Sequence, residues 1–253
     1  MINTEINPAP WRDALYFADA PTSTSRRQPA ISSPMSLDIK ICGLSTAETV
    51  AAAISGGASH VGFIFFPKSP RNVTPQEAGR LREAARGRAL AVAVSVDADD
   101  AALDQIVAAM APDMLQLHGK ETPARVAEVK VRYGLPVIKA LSVAERADLD
   151  AIAPYVGIVD RFLLDAKPPK GAELPGGNGI AFDWRLLQGL SGEVDYLLSG
   201  GLDAANVGEA LALVAPPGLD LSSGVESAPG VKDPALIARF FDAVAAARAT
   251  SPA

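Results

Sequence analysis

The sequence predicts an α/β protein, a (β/α)8 TIM barrel in a single domain, in which eight parallel strands alternate with eight helices. From residue 38 onward, short apolar runs alternate with helical patterns. The chain has 253 residues, which is enough for one such barrel. An open doubly wound sheet would place a G-x-G-x-x-G turn after its first strand, whereas Cys42-Gly43-Leu44-Ser45 stands there. The glycine-rich turns follow strands seven and eight instead, which favours the barrel.

Eight short apolar runs are predicted as the strands. Successive runs are separated by enough residues for a helix and its two loops. The carboxyl ends of all eight strands would meet at one face of the barrel, where barrel enzymes carry their active sites. The predicted strands are Asp38 to Cys42, Val61 to Phe65, Ala89 to Val96, Met114 to Leu117, Val137 to Ala140, Phe162 to Asp165, Tyr196 to Ser199 and Leu219 to Ser222.

The helices between these strands are predicted from start signals and apolar faces. Two starts fit the capping box and three carry proline at the first helical position. They are Ser45-Thr46-Ala47-Glu48, Thr74-Pro75-Gln76-Glu77, Thr122-Pro123 and Asp233-Pro234. Two further segments place apolar residues at the i, i+3, i+4, i+7 spacing of an amphipathic helix. Their apolar stripes are Leu103, Ile106, Val107 and Met110, and Val207, Ala210, Leu211 and Val214.

Residues 1–35 differ in composition from the rest of the chain. They are rich in proline, serine, threonine and asparagine and show no sustained hydrophobic period. We expect them to form a disordered or loosely ordered extension, followed by a catalytic barrel domain over residues 36–250. Met35 stands just before the first strand, so the extension is either a real appendage or the result of a start placed too far upstream.

Composition excludes several classes of function. A formal net charge of −6 argues against a general nucleic-acid surface, which needs clustered lysine and arginine. No apolar run approaches the ~20 residues of a membrane span. One cysteine and no recognisable signal peptide predict a cytoplasmic protein. The H-E-x-x-H, paired-cysteine, Walker and G-x-S-x-G motifs are missing from the sequence, which argues against zinc hydrolysis, nucleotide-triphosphate hydrolysis and the serine-hydrolase elbow.

Two candidate catalytic residues end predicted strands. Cys42 closes the first strand and is the only cysteine of the chain, so it acts as a single thiol or thiolate or is inert packing. Asp165 ends the sixth strand at the same face of the barrel. A carboxyl group there is either a general acid or a cap on the loop that follows.

Three further side chains are candidates for binding. Arg71 follows the second strand in Pro67-Lys68-Ser69-Pro70-Arg71, where the prolines stiffen the loop and its guanidinium group suits a carboxylate or phosphate. Asp220, in the eighth strand, is expected to face a sugar hydroxyl or a loop amide at the barrel mouth. His118 ends the fourth strand, and such a lone histidine is more often a hydrogen-bonded wall residue than a base. His60 is placed at the opposite end and is discounted.

Two glycine-rich turns predict a phosphate site. Barrels commonly bind phosphate between the loops after strands seven and eight. Glycine lets the backbone approach the phosphate closely, and the serine hydroxyls add donors. The loop 176–179 is either simply flexible or folds over a bound ligand, with Asp183 capping the helix behind it. The predicted phosphate-binding residues are Gly200, Gly201, Ser222, Ser223 and Gly224.

Together these motifs resemble the phosphoribosylanthranilate isomerase family of tryptophan biosynthesis. The resemblance runs from Leu37 to the last predicted helix, and the order of the motifs at successive strand ends carries it. The motifs are Lys40-Ile41-Cys42-Gly43, Ser69-Pro70-Arg71, Leu115-Gln116-Leu117-His118-Gly119, Leu164-Asp165, Gly176 to Trp184, Leu198-Ser199-Gly200-Gly201-Leu202, and Asp220 to Glu226.

The resemblance implies an Amadori rearrangement of a phosphorylated ribose without metal or cofactor. It places the general base on Cys42 and the general acid on Asp165. It sets the anthranilate carboxylate against Arg71, the phosphate against the two glycine turns, and Asp220 beside the opened sugar. A thiolate suits this role, since its proton affinity lies near working pH. The expected partner is the small phosphorylated sugar-anthranilate substrate, with the protein a monomer or a homodimer.

The sequence departs from the family pattern at two places, and three other functions remain as alternatives. Asn178 stands where serine or threonine is usual in the family's glycine loop, and the N-terminal extension has no counterpart in its core. The histidine-pathway sugar isomerase carries an aspartate at the position of Cys42. Indole-glycerol-phosphate synthase uses a lysine and glutamates for which no matching set is found. A catalytically silent phosphate-binding barrel would have no need of Cys42, Asp165 and Arg71 together.

Overall fold

Eight parallel strands form a closed barrel in sequence order. The computed structural model describes residues 37–168, 171, 174, 176, 177, 179 and 181–250, so the predicted extension over residues 1–35 and the loop residue Asn178 lie outside the described residues. The barrel closes because β1 pairs with β2 on one side and with β8 on the other. The strands are β1 (Asp38–Cys42), β2 (His60–Phe65), β3 (Leu90–Ser95), β4 (Met114–Leu117), β5 (Val137–Val143), β6 (Arg161–Ala166), β7 (Tyr196–Leu198) and β8 (Gly218–Leu221).

All eight predicted strands are confirmed, most within one or two residues of their predicted ends. Within the described residues, six α-helices cover the outside of the barrel. They are α1 (Ala47–Gly56), α2 (Pro75–Arg82), α3 (Asp100–Met110), α4 (Pro123–Tyr133), α5 (Val207–Val214) and α6 (Pro234–Thr250). None of the described helices combines the length and apolar character needed to cross a bilayer.

The connections after β5 and β6 differ from the predicted α-helices. They contain 3-10 helices over Arg146–Tyr155 and Trp184–Leu187. The first contains Pro154, which has no amide hydrogen for a helical hydrogen bond of either type. Its buried residues, Leu149 and Ile152, lie three positions apart, which matches the three residues per turn of a 3-10 helix.

Polar side chains start the helices largely as predicted. Thr74 and Thr122 each accept a hydrogen bond from the backbone three residues on, ahead of proline at the first helical position. Asp183 caps the 3-10 helix before β7. The prediction for α1 is wrong by one residue, because the Thr46 hydroxyl rather than that of Ser45 accepts the hydrogen bond from the Thr49 amide.

The core has two layers separated by the barrel wall. Outward-facing strand residues pack against the helices. On the helix side, this outer layer contains the buried members of the two predicted apolar stripes. Val107 and Leu211 lie at the edges of those stripes and are half-buried. Inside the barrel, a smaller apolar cluster fills the middle. Its members are Cys42, Val92, Val94, Met114, Ile138, Ala140, Leu163 and Leu197.

The two ends of the barrel interior are polar. At the amino ends of the strands, His60 lies near the Arg161–Asp38 and Arg161–Asp195 ion pairs. Burial lowers the pKa of His60 to about 4, so it is neutral at physiological pH. At the carboxyl ends, inward positions carry a different set of charged and polar side chains, described below.

Truncation of the inner cluster tests this packing. Leu163 is fully buried inside the barrel. We expect Leu163→Ala to lower the free energy of unfolding by about 2–5 kcal/mol, because it removes buried methyl groups and leaves a cavity. Denaturant unfolding measures the change. The control is Val131→Ala on α4, where the side chain is 85% exposed and a change within about 0.5 kcal/mol is expected. Equal losses in both variants would contradict the packing.

Candidate active site

Cys42 and Asp165 face one cavity at the carboxyl ends of the strands. Although they are far apart in sequence, both side chains line this cavity. Arg71, His118 and Asp220 line it as well. The structure therefore brings together all the residues predicted from the sequence for catalysis and for binding of the sugar and the carboxylate.

Cys42 is the last residue of β1 and is 5% exposed. Burial raises the pKa of the thiol above its ordinary value. The neighbouring Lys40 ammonium group opposes this rise, whereas the Asp220 carboxylate adds to it. The thiol is thus the dominant form at neutral pH, and any base chemistry draws on the thiolate fraction.

Lys40 lies two residues before Cys42 and is fully buried inside the barrel. Its Nζ donates to Oδ1 of Asp220 at 2.6 Å. The two residues are register partners across the β1–β8 pairing. Lys40 was not predicted as a site residue, although a charged residue two positions before the cysteine in an apolar strand shares its face and was an available signal.

The Asp165 carboxylate contacts both the backbone and a histidine. Oδ1 accepts a hydrogen bond from the amide of Ala166, the last residue of β6, at 2.9 Å. Oδ2 lies 3.4 Å from Nε2 of His118. The side-chain amide Nε2 of Gln116 lies 2.9 Å from Nδ1 of the same ring. This contact orients the imidazole and leaves Nε2 toward the carboxylate.

Arg71 is buried and held by Glu226, which follows β8, the neighbour of β1 on the side away from β2. Its Nε and Nη2 donate to the two carboxylate oxygens of Glu226 at 2.6 and 2.8 Å. Nη2 also donates to the Gly177 carbonyl at 3.2 Å. Nη1 has no hydrogen bond to any described residue, so it is the nitrogen left for a ligand at this cavity. Ser69 accepts from the Arg71 amide, which helps to fix the loop.

Glu226 and Lys232 were not predicted from the sequence. They lie on the two short antiparallel strands β9 (Glu226–Ala228) and β10 (Val231–Lys232) that follow β8. Lys232 forms an ion pair with Glu226 and donates to the Ser222 carbonyl oxygen. Burial alone would raise the pKa of Glu226, but the hydrogen bonds from Arg71 and Lys232 lower it, so the carboxylate is ionised.

The predicted phosphate turns form a second cavity beside the first. Gly200 and Gly201 both have positive φ angles, of 88° and 65°. A Cβ atom on Gly201 would stand 2.5 Å from the Ala181 amide nitrogen, so only glycine fits there. The described residues that line this cavity are Asp165, Ala166, Lys167, Gly177, Gly179, Ser199, Gly200, Gly201, Leu202, Asp220, Leu221, Ser222 and Ser223.

Gly224 is the exception among the predicted phosphate residues. It is not part of the lining of this cavity. A Cβ atom there would overlap the carbonyl oxygen of Leu202. Its glycine is therefore explained by the close approach of the turn after β8 to the turn after β7.

The two cavities share four lining residues, so they form one elongated site. These are Asp165, Gly177, Asp220 and Ser222. One end is lined by glycine backbone and serine hydroxyls and suits an anionic phosphate. The other end is walled by apolar side chains and suits a planar apolar group. These side chains are Ile64, Phe66, Val94, Val96 and Leu174.

The described residues contain no group of three or more His, Cys, Asp and Glu side chains placed to hold a metal ion. The chemistry that these residues offer is that of a thiol, a carboxyl group and fixed cations. An acid and a base on opposite sides of one ligand can move protons between its atoms.

Comparison with known proteins identifies the family. Residues 39–243 match the family model described as N-(5'-phosphoribosyl)anthranilate (PRA) isomerase. Over 214 residues the chain is 74% identical to the N-(5'-phosphoribosyl)anthranilate isomerase of Mesorhizobium japonicum, covering 85% of this chain and 98% of that protein.

Solved structures agree in fold and sequence. A phosphoribosyl anthranilate isomerase from Thermotoga maritima superimposes with a TM-score of 0.75 at 32% identity, covering 83% of this chain and all of that one. A second structure holds reduced 1-(o-carboxyphenylamino)-1-deoxyribulose 5-phosphate and matches with a TM-score of 0.72 at 30% identity over the same shares. The chain belongs to the N-(5'-phosphoribosyl)anthranilate isomerase family.

Proposed function

We propose that this protein converts N-(5'-phosphoribosyl)anthranilate to 1-(2-carboxyphenylamino)-1-deoxyribulose 5-phosphate, a step of tryptophan biosynthesis, with Cys42 as general base and Asp165 as general acid. The observation that carries the assignment is that these two groups line one cavity, which continues into the glycine-rich turns. Family membership supports the overall reaction, and the geometry supports the two roles.

The first step opens the sugar ring. Asp165 gives its proton to the ribose ring oxygen, and the bond between that oxygen and C1 breaks. The anthranilate nitrogen supplies the electron pair that forms the C1–N double bond of a protonated Schiff base. The Asp165 carboxylate left behind lies 3.4 Å from Nε2 of His118 and accepts a hydrogen bond from the Ala166 amide at 2.9 Å.

The second step removes the proton from C2. The Cys42 thiolate takes this proton, and the electron pair forms a C1–C2 double bond while the Schiff-base nitrogen becomes neutral. The resulting enolamine gains a proton at C1 and loses one from the C2 hydroxyl to give the ketone. Protons balance over the whole reaction, because the substrate gains one at the ring oxygen and one at C1 and loses one from C2 and one from the C2 hydroxyl, so the product is an isomer of the substrate.

The elongated site accommodates such a substrate in one orientation. The phosphate lies against the turns at Gly201 and Ser223, where backbone amides and hydroxyls are available. The anthranilate ring lies against the apolar wall, with its carboxylate toward Nη1 of Arg71. Asp220 lines both parts of the site and is placed beside the opened sugar.

The acid and base assignment is tested by Cys42→Ala and Asp165→Asn. Each variant removes one proton-transfer group, so we expect kcat to fall by about 10²–10⁴-fold while circular dichroism shows the fold intact. Turnover is followed as the loss of phosphoribosylanthranilate fluorescence on adding purified protein without metal. The matched control is Asp195→Asn at the amino end of β7, where kcat is expected to stay unchanged.

Near-normal turnover in either variant would defeat the assignment. Failure of the parent protein to consume the substrate would instead favour a catalytically silent barrel.

The carboxylate contact is tested by Arg71→Ala. Loss of a charge-assisted hydrogen bond is expected to raise KM about tenfold or more, with a smaller effect on kcat. Steady-state kinetics with the same fluorescence assay measures both. Arg80→Ala is the control, because Arg80 is exposed on α2 and pairs with Glu77. An unchanged KM in Arg71→Ala would show that Arg71 does not hold the substrate.

A further inference from the structure

Lys40 on β1 places a cation inside the barrel. It is 0% exposed, so its ammonium group is out of contact with bulk solvent. Lys40 and Cys42 are separated by two positions on β1, so both point into the barrel. Burying an ammonium group without partners is costly. The groups around the Lys40 ammonium group therefore indicate its role.

Asp220 holds the ammonium group from one side. The Nζ–Oδ1 distance is 2.6 Å, and the pair sits at matching register on β1 and β8. Ser199 donates to the other carboxylate oxygen of Asp220 at 3.3 Å, which fixes the orientation of the carboxylate. A lysine ammonium group has three donors, and within the described residues Asp220 supplies the one oxygen acceptor for this one.

Cys42 shares the inward face of β1 with the ammonium group, two positions along the strand. The positive charge of Lys40 lowers the pKa of the Cys42 thiol and so opposes the rise caused by burial. Gly62, the register partner of Cys42 on β2, leaves space beside the two residues. A Cβ atom on Gly62 would stand 3.1 Å from Nζ of Lys40 and 3.2 Å from Cα of Cys42.

A second buried lysine gives an internal comparison. Lys139 on β5 pairs with Glu121 at 2.9 Å and also donates to the carbonyls of Leu117 and Gly119. The end of β4 and the loop after it thus engage all of its donors, so Lys139 has a structural role. β5 lies on the opposite side of the barrel from β1. The Lys40 ammonium group, in contrast, has donor capacity left for the cysteine sulfur.

Stability alone does not require the Lys40–Asp220 pair. Replacement of a buried ion pair by apolar side chains of similar volume is often neutral or stabilising. The pair lies directly beside the proposed base, where a charge changes during the reaction.

We propose that Lys40 is a positioning residue for the isomerisation: its ammonium group, fixed by Asp220, orients the Cys42 sulfur and stabilises its thiolate form. The inference rests on the proposed function only in giving that thiolate the role of base. The stabilisation of the Cys42 thiolate by Lys40 is a property of the protein without substrate.

The other groups around the thiol make the sign of the effect definite. Lys232, from β10, also favours the thiolate, but it is paired with Glu226. Asp220 disfavours the thiolate. Arg71, His118 and Asp165 line the same cavity from the loop after β2 and from the ends of β4 and β6. Burial lowers the pKa of Lys40, but the attraction of Asp220 and Cys42 outweighs it, so Lys40 stays charged.

The test is a titration of Cys42, which is the only cysteine and so gives the only thiolate signal. Thiolate ultraviolet absorbance is measured against pH without substrate, with Cys42→Ser as the baseline. In Lys40→Met the pKa of Cys42 is expected to rise by about one unit or more, because the thiolate loses its nearest cation. In the matched control Lys139→Met the pKa is expected to stay unchanged.

A second variant removes the charge but keeps a donor for Asp220. In Lys40→Gln the side-chain amide can still donate to the Asp220 carboxylate, whereas the cation is lost, so the pKa of Cys42 is again expected to rise. This measurement decides the matter if Lys40→Met does not fold. A folded Lys40→Met with the parent titration would overturn the inference, as would an unchanged or lowered pKa in Lys40→Gln.

The isomerase assay separates this inference from the proposed function. Lys40→Met is expected to lower kcat more than it raises KM, since the lysine acts on the base and does not touch the substrate. A parent protein that shows the expected thiol shifts but no turnover would refute the proposed function and leave the electrostatic inference intact.

Discussion

Closure of the barrel through the pairing of β1 with β8 is the constraint on which the candidate site depends. It places Lys40 beside Asp220 although 180 residues separate them in sequence. It also directs Cys42 toward the same cavity as Asp165, the second-last residue of β6. In an open sheet, β1 and β8 would not pair with each other, so neither the ion pair nor the shared cavity would form.

The charged groups at the mouth are paired with opposite charges in one low-dielectric space. Lys40 and Asp220 form a neutral pair, whereas Glu226 lies between two cations, Arg71 and Lys232, so that this cluster carries one net positive charge. Such pairing offsets the cost of burial and leaves the cavity with fixed charges at defined points. Preorganised charges of this kind need little rearrangement when charge develops on a substrate. The Glu226 contact also limits how Arg71 presents its guanidinium group to a ligand, since Nε and Nη2 are already engaged.

Features that depend on local chemistry could be predicted from the sequence, whereas features that depend on distant partners could not. Strand positions and the caps at Thr74 and Thr122 follow from short patterns, and the strand ends locate Cys42 and Asp165 at one face. The Arg71–Glu226 pair spans 155 residues, and no short pattern in the sequence encodes it. The 3-10 helices after β5 and β6 were missed because α and 3-10 turns share similar capping signals. Gly224 was assigned to phosphate from its turn sequence, while its nearest constraint is the Leu202 carbonyl.

The central claim is that a sulfur and a carboxyl group flank the same sugar. A crystal structure of the Cys42→Ser variant with reduced 1-(o-carboxyphenylamino)-1-deoxyribulose 5-phosphate, the compound held by a related structure, tests it most directly. The account predicts that C1 and C2 of the bound compound lie between residue 42 and Asp165, with the phosphate at the turns of Gly201 and Ser223. A phosphate bound elsewhere, or a sugar that contacts only one of the two side chains, would contradict it.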